Sequence, residues 1–336
     1  MVNLLWSQEG KPMEQVCGVV DRHRYFRRPE MRLILRVQDE VLSALRDYLR
    51  GEGFLEILAP IIGPVTDPGI RGARQVSIDY YGHRFKLMSS MILYKQMALL
   101  SVDRVFALSP NVRLEPEESV RTSRHLAEFR QVDVEMAHAT YHDAMDLCEG
   151  MVAYVLDRVS RACSRELEEL GRDLRVPRTP FERISYGEAL EMLRAEGFDV
   201  EPGGEIPWDA EEAISRMFDN PFWIYDYPMT ARGFYDREDP ERPGILRDFD
   251  LIYPEGYGEG VSGGEREYKA ERVLERMRMR GEDPREYGWY IEMLRDGIPP
   301  SAGFGIGVER LTRYICGLRN IWDAVPFPKV PGIPSP

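Results

Sequence analysis

The stretch 303-GFGIGVERL-311 alternates glycine with apolar residues and ends in a glutamate–arginine pair, at the head of an apolar-periodic segment. A dinucleotide-binding loop needs the spacing G-x-G-x-x-G between a strand and a helix. Here Val308 stands where the third glycine would be, so we discard that interpretation. Alternate glycines leave one face of a strand bare, and a flat group can lie against the exposed backbone. The rest of the chain must supply the residues that hold such a group beside this strand.

The composition is typical of a water-soluble globular protein. The chain has 336 residues, of which 43% are hydrophobic and 30% charged, with a formal net charge of −13. An acidic surface repels phosphate, which disfavours a general nucleic-acid binder. We find no apolar run of membrane-spanning length and no leader pattern, so we expect a cytoplasmic protein without a membrane partner. The cysteines lie far apart, and we expect reduced thiols at Cys17, Cys148, Cys163 and Cys316.

Hydrophobic periodicity and turn residues divide the chain into helices and hairpins. We predict a helix over about 30–50, a strand over 54–62, a hairpin around 82–83, a short helix over 90–100, two strands over 104–115 and 125–139, and a long helix over about 142–170. Residues 172–247, rich in proline, glycine and charge, are interpreted as an insertion beside the main sheet. A strand, a glycine-rich bend and a helix opening at Glu265 follow. The expected fold class is α+β with an antiparallel sheet.

The second of the two paired strands separates apolar from polar side chains. Its alternation places Val132 and Val134 on one face and Phe129, Asp133 and Glu135 on the other. An apolar face is ordinary in a sheet. A face that carries an aromatic ring and two carboxylates is a candidate cavity wall.

The turn between these strands carries several cations. Arg113, Arg124, His125 and Phe129 would suit a triphosphate with an attached purine, because guanidinium groups bind phosphate oxygens and an aromatic ring stacks on a base. Arg310 would close on the nucleotide from the other side. The alternative is that the arginines pair with neighbouring glutamates on the surface.

A second cluster lies in 249-FDLIYPEGYGEGVSGGER-266. Asp250, Glu259 and Ser262 offer hard oxygen ligands suited to Mg²⁺ that bridges phosphates, although the same segment also fits an acidic turn. Lys95 and Arg266 are two cations that would clamp a small carboxylate. Singly, each also fits ordinary surface charge.

Together these segments resemble the three signature motifs of class II aminoacyl-tRNA synthetases, in the aspartyl/asparaginyl branch. The first motif matches the helix that leads into 51-GEGFLEILAPII-62, the second matches 112-VRLE-115 with 124-RHLAEF-129, and the third is the glycine run itself. The resemblance covers about residues 28–336, after a short extension at 1–27. It implies an antiparallel sheet flanked by helices, and a homodimer built on the first motif.

The resemblance also implies roles for individual residues in binding ATP. Arg113 would hold the α-phosphate and Glu115 the adenine edge, while Phe129 stacks on the base. Arg124 and His125 would contact the outer phosphates. Arg310 would flank the nucleotide, beside the bare backbone of Gly307. We expect Arg113 and Arg310 to be catalytic through charge stabilisation.

The resemblance extends to the metal and to the amino acid. Glu259 and Ser262, with Asp250, would bind Mg²⁺. Lys95 and Arg266 match the two cations that grip the carboxylate of aspartate, with Ser262 nearby in the same site. Asp67 falls where the family places an acidic group near the substrate ammonium.

Two departures from the pattern of this branch change the function that we expect for the chain. The first 27 residues are too few for the anticodon-reading OB-fold, so we expect tRNA not to be a partner. Ile92 stands where aspartyl enzymes have a glutamine that orients the substrate. Both departures fit the archaeal asparagine synthetases related to asparaginyl-tRNA synthetase, which use aspartate, ATP and ammonia.

This resemblance predicts an AMP-forming aspartate–ammonia ligase, with a β-aspartyl-adenylate that ammonia attacks. Asp133 or Asp67 would accept the proton of ammonium, although Asp133 would equally serve as a buried partner of an arginine. The alternative is a truncated aspartyl- or asparaginyl-tRNA synthetase-like enzyme that aminoacylates tRNA or another acceptor.

Overall fold

The computed structural model describes residues 18–68 and 72–336, so the predicted thiol of Cys17 lies outside the described residues. The helices are α1 (Arg22–Tyr25), α2 (Pro29–Gly51), α3 (Ile92–Ala98), α4 (Tyr141–Ala162), α5 (Ser164–Glu169), α6 (Tyr186–Ala195), α7 (Trp208–Ser215), α8 (Ala270–Arg280), α9 (Gly288–Asp296) and α10 (Val308–Ile315). The strands are β1 (Leu55–Glu56), β2 (Ile62–Gly63), β3 (Ser77–Tyr80), β4 (His83–Leu87), β5 (Arg104–Val112), β6 (Glu128–Ala137), β7 (Glu182–Ser185), β8 (Phe222–Tyr225), β9 (Asp248–Tyr253), β10 (Gly258–Glu265) and β11 (Ser301–Gly307).

The first long helix, α2, follows from its sequence pattern. Pro29 occupies the first turn, where its missing N–H has no helical partner to lose. Ile34, Val37, Val41 and Leu45 recur at helical spacing and are fully or almost fully buried. They belong to the same hydrophobic core as the inner residues of α4 and of the central strands. The predicted helix is therefore confirmed, and it covers one face of the sheet.

In the described part of the chain, eight strands form one large sheet in the order β1-β5-β6-β11-β10-β9-β8-β7. Neighbouring strands run antiparallel except for two parallel pairs, β1–β5 and β7–β8, at the two edges. Helices pack on this sheet, and the α+β class with a mostly antiparallel sheet is confirmed. The hairpin β3–β4 is also confirmed, and with β2 it forms a second, three-stranded sheet within the described residues.

The strand register places bare glycines opposite carboxylates across the centre of the sheet. Gly305 of β11 pairs with Asp133 on one side and with Ser262 on the other. Gly303 lies opposite Glu135, two residues along the same strands. Directly paired residues project to the same face of a sheet. Missing side chains in the centre and polar ones beside them therefore create a polar depression on the face opposite the apolar core.

Some predicted elements are wrong in detail. The segment that ends at Glu265 is strand β10 rather than a bend, and the next helix begins only at Ala270. The glycines there serve close packing, because a Cβ on Gly263 would lie 2.5 Å from the backbone oxygen of Gly303. The long helix is interrupted at Cys163 between α4 and α5.

The segment 172–247 does not lie apart from the main sheet. Its strands β7 and β8 extend the sheet beyond β9, and helices α6 and α7 pack with them in one hydrophobic cluster. At the other end of the chain, the described part of the N-terminal extension is tied down by Arg22, whose Nε donates to the backbone oxygen of Pro326 at 2.9 Å.

No helix in the described ranges is long and apolar enough to cross a membrane. Cys148, Cys163 and Cys316 are buried free thiols, as expected for reduced cysteines.

Candidate active site

The polar depression of the large sheet opens into a cleft that collects the predicted site residues. The cleft is lined by Asp67, Lys95, Arg113, Glu115, Arg124, His125, Phe129, Asp133, Glu259, Ser262, Arg266, Gly307 and Arg310. Asp250 is the predicted site residue that does not reach the lining. Sequence segments more than 200 residues apart thus meet in one place.

One part of the cleft is an arginine cluster, formed by Arg113, Arg124 and Arg310. The guanidinium carbon of Arg113 lies 5.0 Å from the centre of the Phe129 ring, and its Nε donates to the backbone oxygen of Ser89 at 3.0 Å. Arg310 Nη1 donates to the backbone oxygen of Glu259 at 3.0 Å and to its carboxylate at 3.1 Å. An aromatic ring beside one fixed guanidinium group, with two more guanidinium groups lining the same cleft, is suited to a base that carries phosphates.

Arg124 is the most buried member of this cluster, with 3% of its surface exposed. Its Nη2 donates to the carboxylate of Glu211. Within the described residues, Nε and Nη1 of Arg124 are buried without a hydrogen-bond partner. Buried donors without partners are costly, and an anionic ligand in the cleft would satisfy them. His125, next in sequence, shares a 2.7 Å hydrogen bond between its Nδ1 and the Thr122 hydroxyl.

The other part of the cleft is lined by Lys95, Asp133, Asp236 and Arg266, which belong to a buried ion-pair network around Glu135. The Lys95 Nζ lies 3.4 Å from Asp133 Oδ1 and 3.3 Å from Glu135 Oε2. Arg266 donates from Nε to Glu135 at 3.1 Å and from Nη1 to Asp236 at 2.8 Å. Burial alone would lower the pKa of Arg266, but Glu135 and Asp236 raise it above its ordinary value. Both predicted clamp cations are therefore already paired with carboxylates of the protein.

The absence of a side chain at Gly303 makes room for this ion-pair network and not for a flat ligand. A Cβ at that position would lie 2.2 Å from Glu135 Oε2 and 2.1 Å from the backbone oxygen of Val134. Gly305 and Gly307 do line the cleft. The alternating glycines therefore have two tasks, because the first makes room for a buried carboxylate and the other two leave the floor bare.

Asp133 and Asp67 are each held by a hydroxyl donor. The Ser109 hydroxyl donates to Asp133 Oδ2, and Lys95 approaches the other carboxylate oxygen. Asp133 is therefore a buried partner of a cation, but that cation is Lys95 and not the arginine considered from the sequence. The Tyr235 hydroxyl donates to Asp67 Oδ1 at 3.0 Å. Burial and the Asp67 carboxylate raise the pKa of Tyr235 well above its ordinary value, so the phenol keeps its proton as a donor.

The residues expected to hold magnesium are only partly together. Glu259 and Ser262 face the cleft, and both offer oxygen ligands. Asp250 instead accepts a 2.6 Å hydrogen bond from Arg232 Nη2, next to the cleft lining. Among the residues that the structure describes, no three His, Cys, Asp or Glu side chains form a metal-binding cluster. A cation here would take most of its ligands from phosphates and water.

Comparisons with known proteins bear on this geometry. The family model for class II tRNA synthetases (D, K and N) matches residues 17–331. Asparagine–tRNA ligase of Pyrococcus abyssi is 36% identical over 313 residues, which cover 92% of this chain and 71% of that protein. The chain belongs to the class II tRNA synthetases.

Solved structures of this synthetase family superpose on nearly the whole chain. Asparaginyl-tRNA synthetase from Pyrococcus horikoshii, complexed with asparaginyl-adenylate, gives a TM-score of 0.90 at 33% identity and covers 96% of this chain and 74% of that one. A putative aspartyl-tRNA synthetase from Leishmania major gives 0.83 at 25% identity, covering 98% of this chain and 71% of that one. The likeness thus extends through 172–247, the segment interpreted from sequence as an insertion.

Several lining residues of this synthetase-family cleft were missed by the sequence reasoning. The segment 172–247 contributes Glu205, Trp208, Arg232, Tyr235 and Asp236. It lacks a clear alternation that would have shown which side chains face inward. Gln131 also lines the cleft, and its position on the polar face of β6 with Asp133 follows the alternation expected from the sequence.

Proposed function

We propose that this chain activates aspartate or asparagine with ATP, forming an aminoacyl-adenylate and releasing pyrophosphate. The observation that carries the proposal is the joining of two sites in one cleft. The arginine cluster with Phe129 offers a nucleotide site, and the ion-pair network around Glu135 offers a polar site for an amino acid. The similarity to a synthetase complexed with asparaginyl-adenylate supports it.

In this proposal, the protein works by positioning and charge stabilisation, without a covalent nucleophile. Phe129 stacks on the adenine, and Glu115 receives its amino edge. Arg113 and Arg310 stabilise the negative charge that develops when the amino-acid carboxylate attacks the α-phosphate. Arg124, with two buried nitrogens lacking partners among the described residues, binds the outer phosphates with His125.

Magnesium is the metal that this chemistry calls for. Glu259 and Ser262 would hold it, since both line the cleft and provide hard oxygen atoms. The ion would neutralise phosphate charge when bound. Asp250 would act only indirectly, through its ion pair with Arg232.

The acceptor of the activated amino acid has two candidates. The named relatives are tRNA ligases, which favours tRNA. Ammonia is the second candidate. The feature that favours it is Ile92, which lines the cleft at the position where the resemblance places the substrate-orienting glutamine of aspartyl enzymes. In that case aspartate presents its β-carboxylate, ammonia attacks the mixed anhydride, AMP leaves, and asparagine is the product. Ammonium must first give up its proton, for which Asp67 or Asp133 is the proposed acceptor.

One set of assays separates these proposals. Exchange of labelled pyrophosphate into ATP, measured with each of twenty amino acids, should be stimulated by aspartate or asparagine alone. AMP release is then measured with tRNA, with ammonium and with neither. Release that requires tRNA supports the synthetase reaction, whereas release with aspartate and ammonium, accompanied by asparagine, supports the ligase. An absence of exchange with every amino acid overturns the proposal.

We also propose that the chain forms a homodimer through the segment after α2. Leu55, Leu58 and Ile61 are 53%, 98% and 63% exposed, although each is apolar. Three exposed apolar side chains within one short segment of the chain indicate an interaction surface. Leu58→Glu should shift the protein from dimer to monomer in sedimentation-velocity experiments, whereas Met279→Glu, at an exposed residue on α8, should not. A wild-type protein that sediments as a monomer refutes the proposal.

A further inference from the structure

Helix α7 touches Arg124 and its sequence neighbour His125 through two side chains. Near its start, the Trp208 ring lies against the imidazole of His125, with ring centres 4.4 Å apart. One turn later, a single carboxylate oxygen of Glu211 accepts two hydrogen bonds. One comes from Arg124 Nη2, and the other, at 2.5 Å, comes from the backbone N–H of Glu259. This helix belongs to 172–247, far in sequence from both partners.

The contact around Glu211 is tightly enclosed. Glu211 and Arg124 are each 3% exposed. Gly258, the first residue of β10, lies over the pair with a φ angle of +70°. A Cβ there would lie 2.5 Å from Glu211 Oε1 and 2.7 Å from the guanidinium carbon of Arg124. Little space remains for the carboxylate or the guanidinium group to move.

The position of Arg124 depends on this one anchor. Its Nη2 is fixed by Glu211, while Nε and Nη1 have no hydrogen-bond partner among the described residues. The same Glu211 oxygen accepts a hydrogen bond from the backbone N–H of Glu259. The carboxylate of Glu259 in turn accepts a hydrogen bond from Arg310. One oxygen atom therefore links a phosphate-binding arginine to the strand that carries the expected metal ligand.

We propose that Glu211 is a positioning residue, which holds Arg124 and the backbone of Glu259 in place for the outer phosphates of ATP. The proposal rests on the proposed function, in that ATP occupies the cleft. Glu211 acts through the length of its side chain and through its acceptor oxygen. Its negative charge would by itself weaken the attraction of Arg124 for phosphate.

Two variants separate position from charge. Glu211→Asp keeps the charge but shortens the side chain, so its oxygen cannot reach both donors. Glu211→Gln removes the charge but keeps a carbonyl oxygen at the same reach. If Glu211 positions Arg124, the aspartate variant should bind ATP about tenfold to a hundredfold more weakly, the loss expected for a charge-assisted hydrogen bond to phosphate. The glutamine variant should stay within about threefold of the wild type.

AMP supplies the internal control for these variants. It carries the base and the α-phosphate but not the outer phosphates, so its binding should be unchanged in both variants. Binding of ATP and AMP is measured by isothermal titration calorimetry with magnesium, and thermal unfolding is followed by circular dichroism. Glu212→Asp is the matched control, since the neighbouring Glu212 pairs with exposed Arg216 away from the cleft.

The proposal is overturned if Glu211→Asp binds ATP like the wild type, or if ATP and AMP affinities fall together. Tighter ATP binding by Glu211→Gln, with Glu211→Asp unchanged, would assign the effect to charge and also overturn it. If Glu211→Asp does not fold, Gly258→Ala tests the same contact, because its Cβ displaces the pair. A wild type that binds ATP without amino-acid-dependent exchange would refute the proposed function and leave this positioning role standing.

Discussion

Replacing Lys95 with methionine should destabilise the fold as well as disturb the proposed amino-acid site. The Lys95 side chain is 3% exposed and lies 3.4 Å from Asp133 and 3.3 Å from Glu135. Its Nζ also donates to the backbone oxygens of Val134 and Phe304, at 3.2 and 3.0 Å. Methionine keeps the length and apolar stem but leaves two buried carboxylates with less compensation.

The size of this effect follows from the partners that remain. Removing one partner of a buried ion pair costs about 3–5 kcal/mol, because the other charge stays buried. Glu135 keeps Arg266, and Asp133 keeps the Ser109 hydroxyl, so we expect the lower end, about 3 kcal/mol of unfolding free energy. Exchange stimulated by the amino acid should also be lost, while ATP binding stays within about threefold under native conditions, since Lys95 does not contact the arginine cluster.

Urea denaturation followed by circular dichroism measures this loss. Lys95→Met combined with Asp133→Asn should recover at least about 1 kcal/mol relative to the sum of the single variants, because the two side chains are in contact. Arg165→Met, which removes an exposed ion pair on α5, is the control and should leave the denaturation midpoint unchanged. A loss below about 1 kcal/mol for Lys95→Met would refute the reasoning that Lys95 balances the buried carboxylates.

Three further predictions concern the cleft. Gly305→Val should leave the protein folded but abolish ATP binding measured by calorimetry. Even a Cβ at this position lies 3.1 Å from Gln131 Nε2, and the larger valine side chain fills the floor of the cleft. An unchanged affinity for ATP would place the nucleotide elsewhere. Phe129→Leu should raise the KM for ATP roughly tenfold in exchange assays, since base stacking on an aromatic ring contributes about 1–3 kcal/mol; an unchanged KM would exclude stacking. Burial raises the pKa of Glu309 to about 7, so its contribution to stability is present below the unfolded pKa and is lost as pH rises through 7. Glu309→Gln should therefore flatten the fall in unfolding free energy between about pH 4.5 and pH 7, and an equal slope in both proteins would contradict the assignment.

The parts of the site predicted best from sequence are those in regular strands. In β6 the period of two places Phe129, Gln131 and Asp133 in the cleft and Val132 and Val134 in the core, as the alternation predicts. Strand periodicity fixes the face of each side chain once a single residue is placed.

Glycine-rich segments and the region 172–247 were predicted less well, for physical reasons. The glycines at 260, 263 and 264 suggest a flexible bend, yet they form β10 because neighbouring backbone and rings leave no space for side chains. In a sequence, glycine is expected both in a flexible turn and in a closely packed strand, so the residue alone does not distinguish the two. Arg232 and Asp236 are ordinary charged residues until the fold brings them to buried partners.

Under the proposed function, the charge balance around Glu135 bears on which amino acid is activated. Lys95 and Arg266 supply two formal positive charges, and their contacts Asp133, Glu135 and Asp236 supply three negative ones. A substrate carboxylate added there must displace a protein carboxylate from one of the cations, whereas a neutral amide only needs hydrogen bonds. Charges in a buried site interact strongly, so the existing pairs oppose that displacement. As it stands, the network is better matched to asparagine than to aspartate, and exchange stimulated more by aspartate would mean that at least one of these ion pairs opens when the substrate binds.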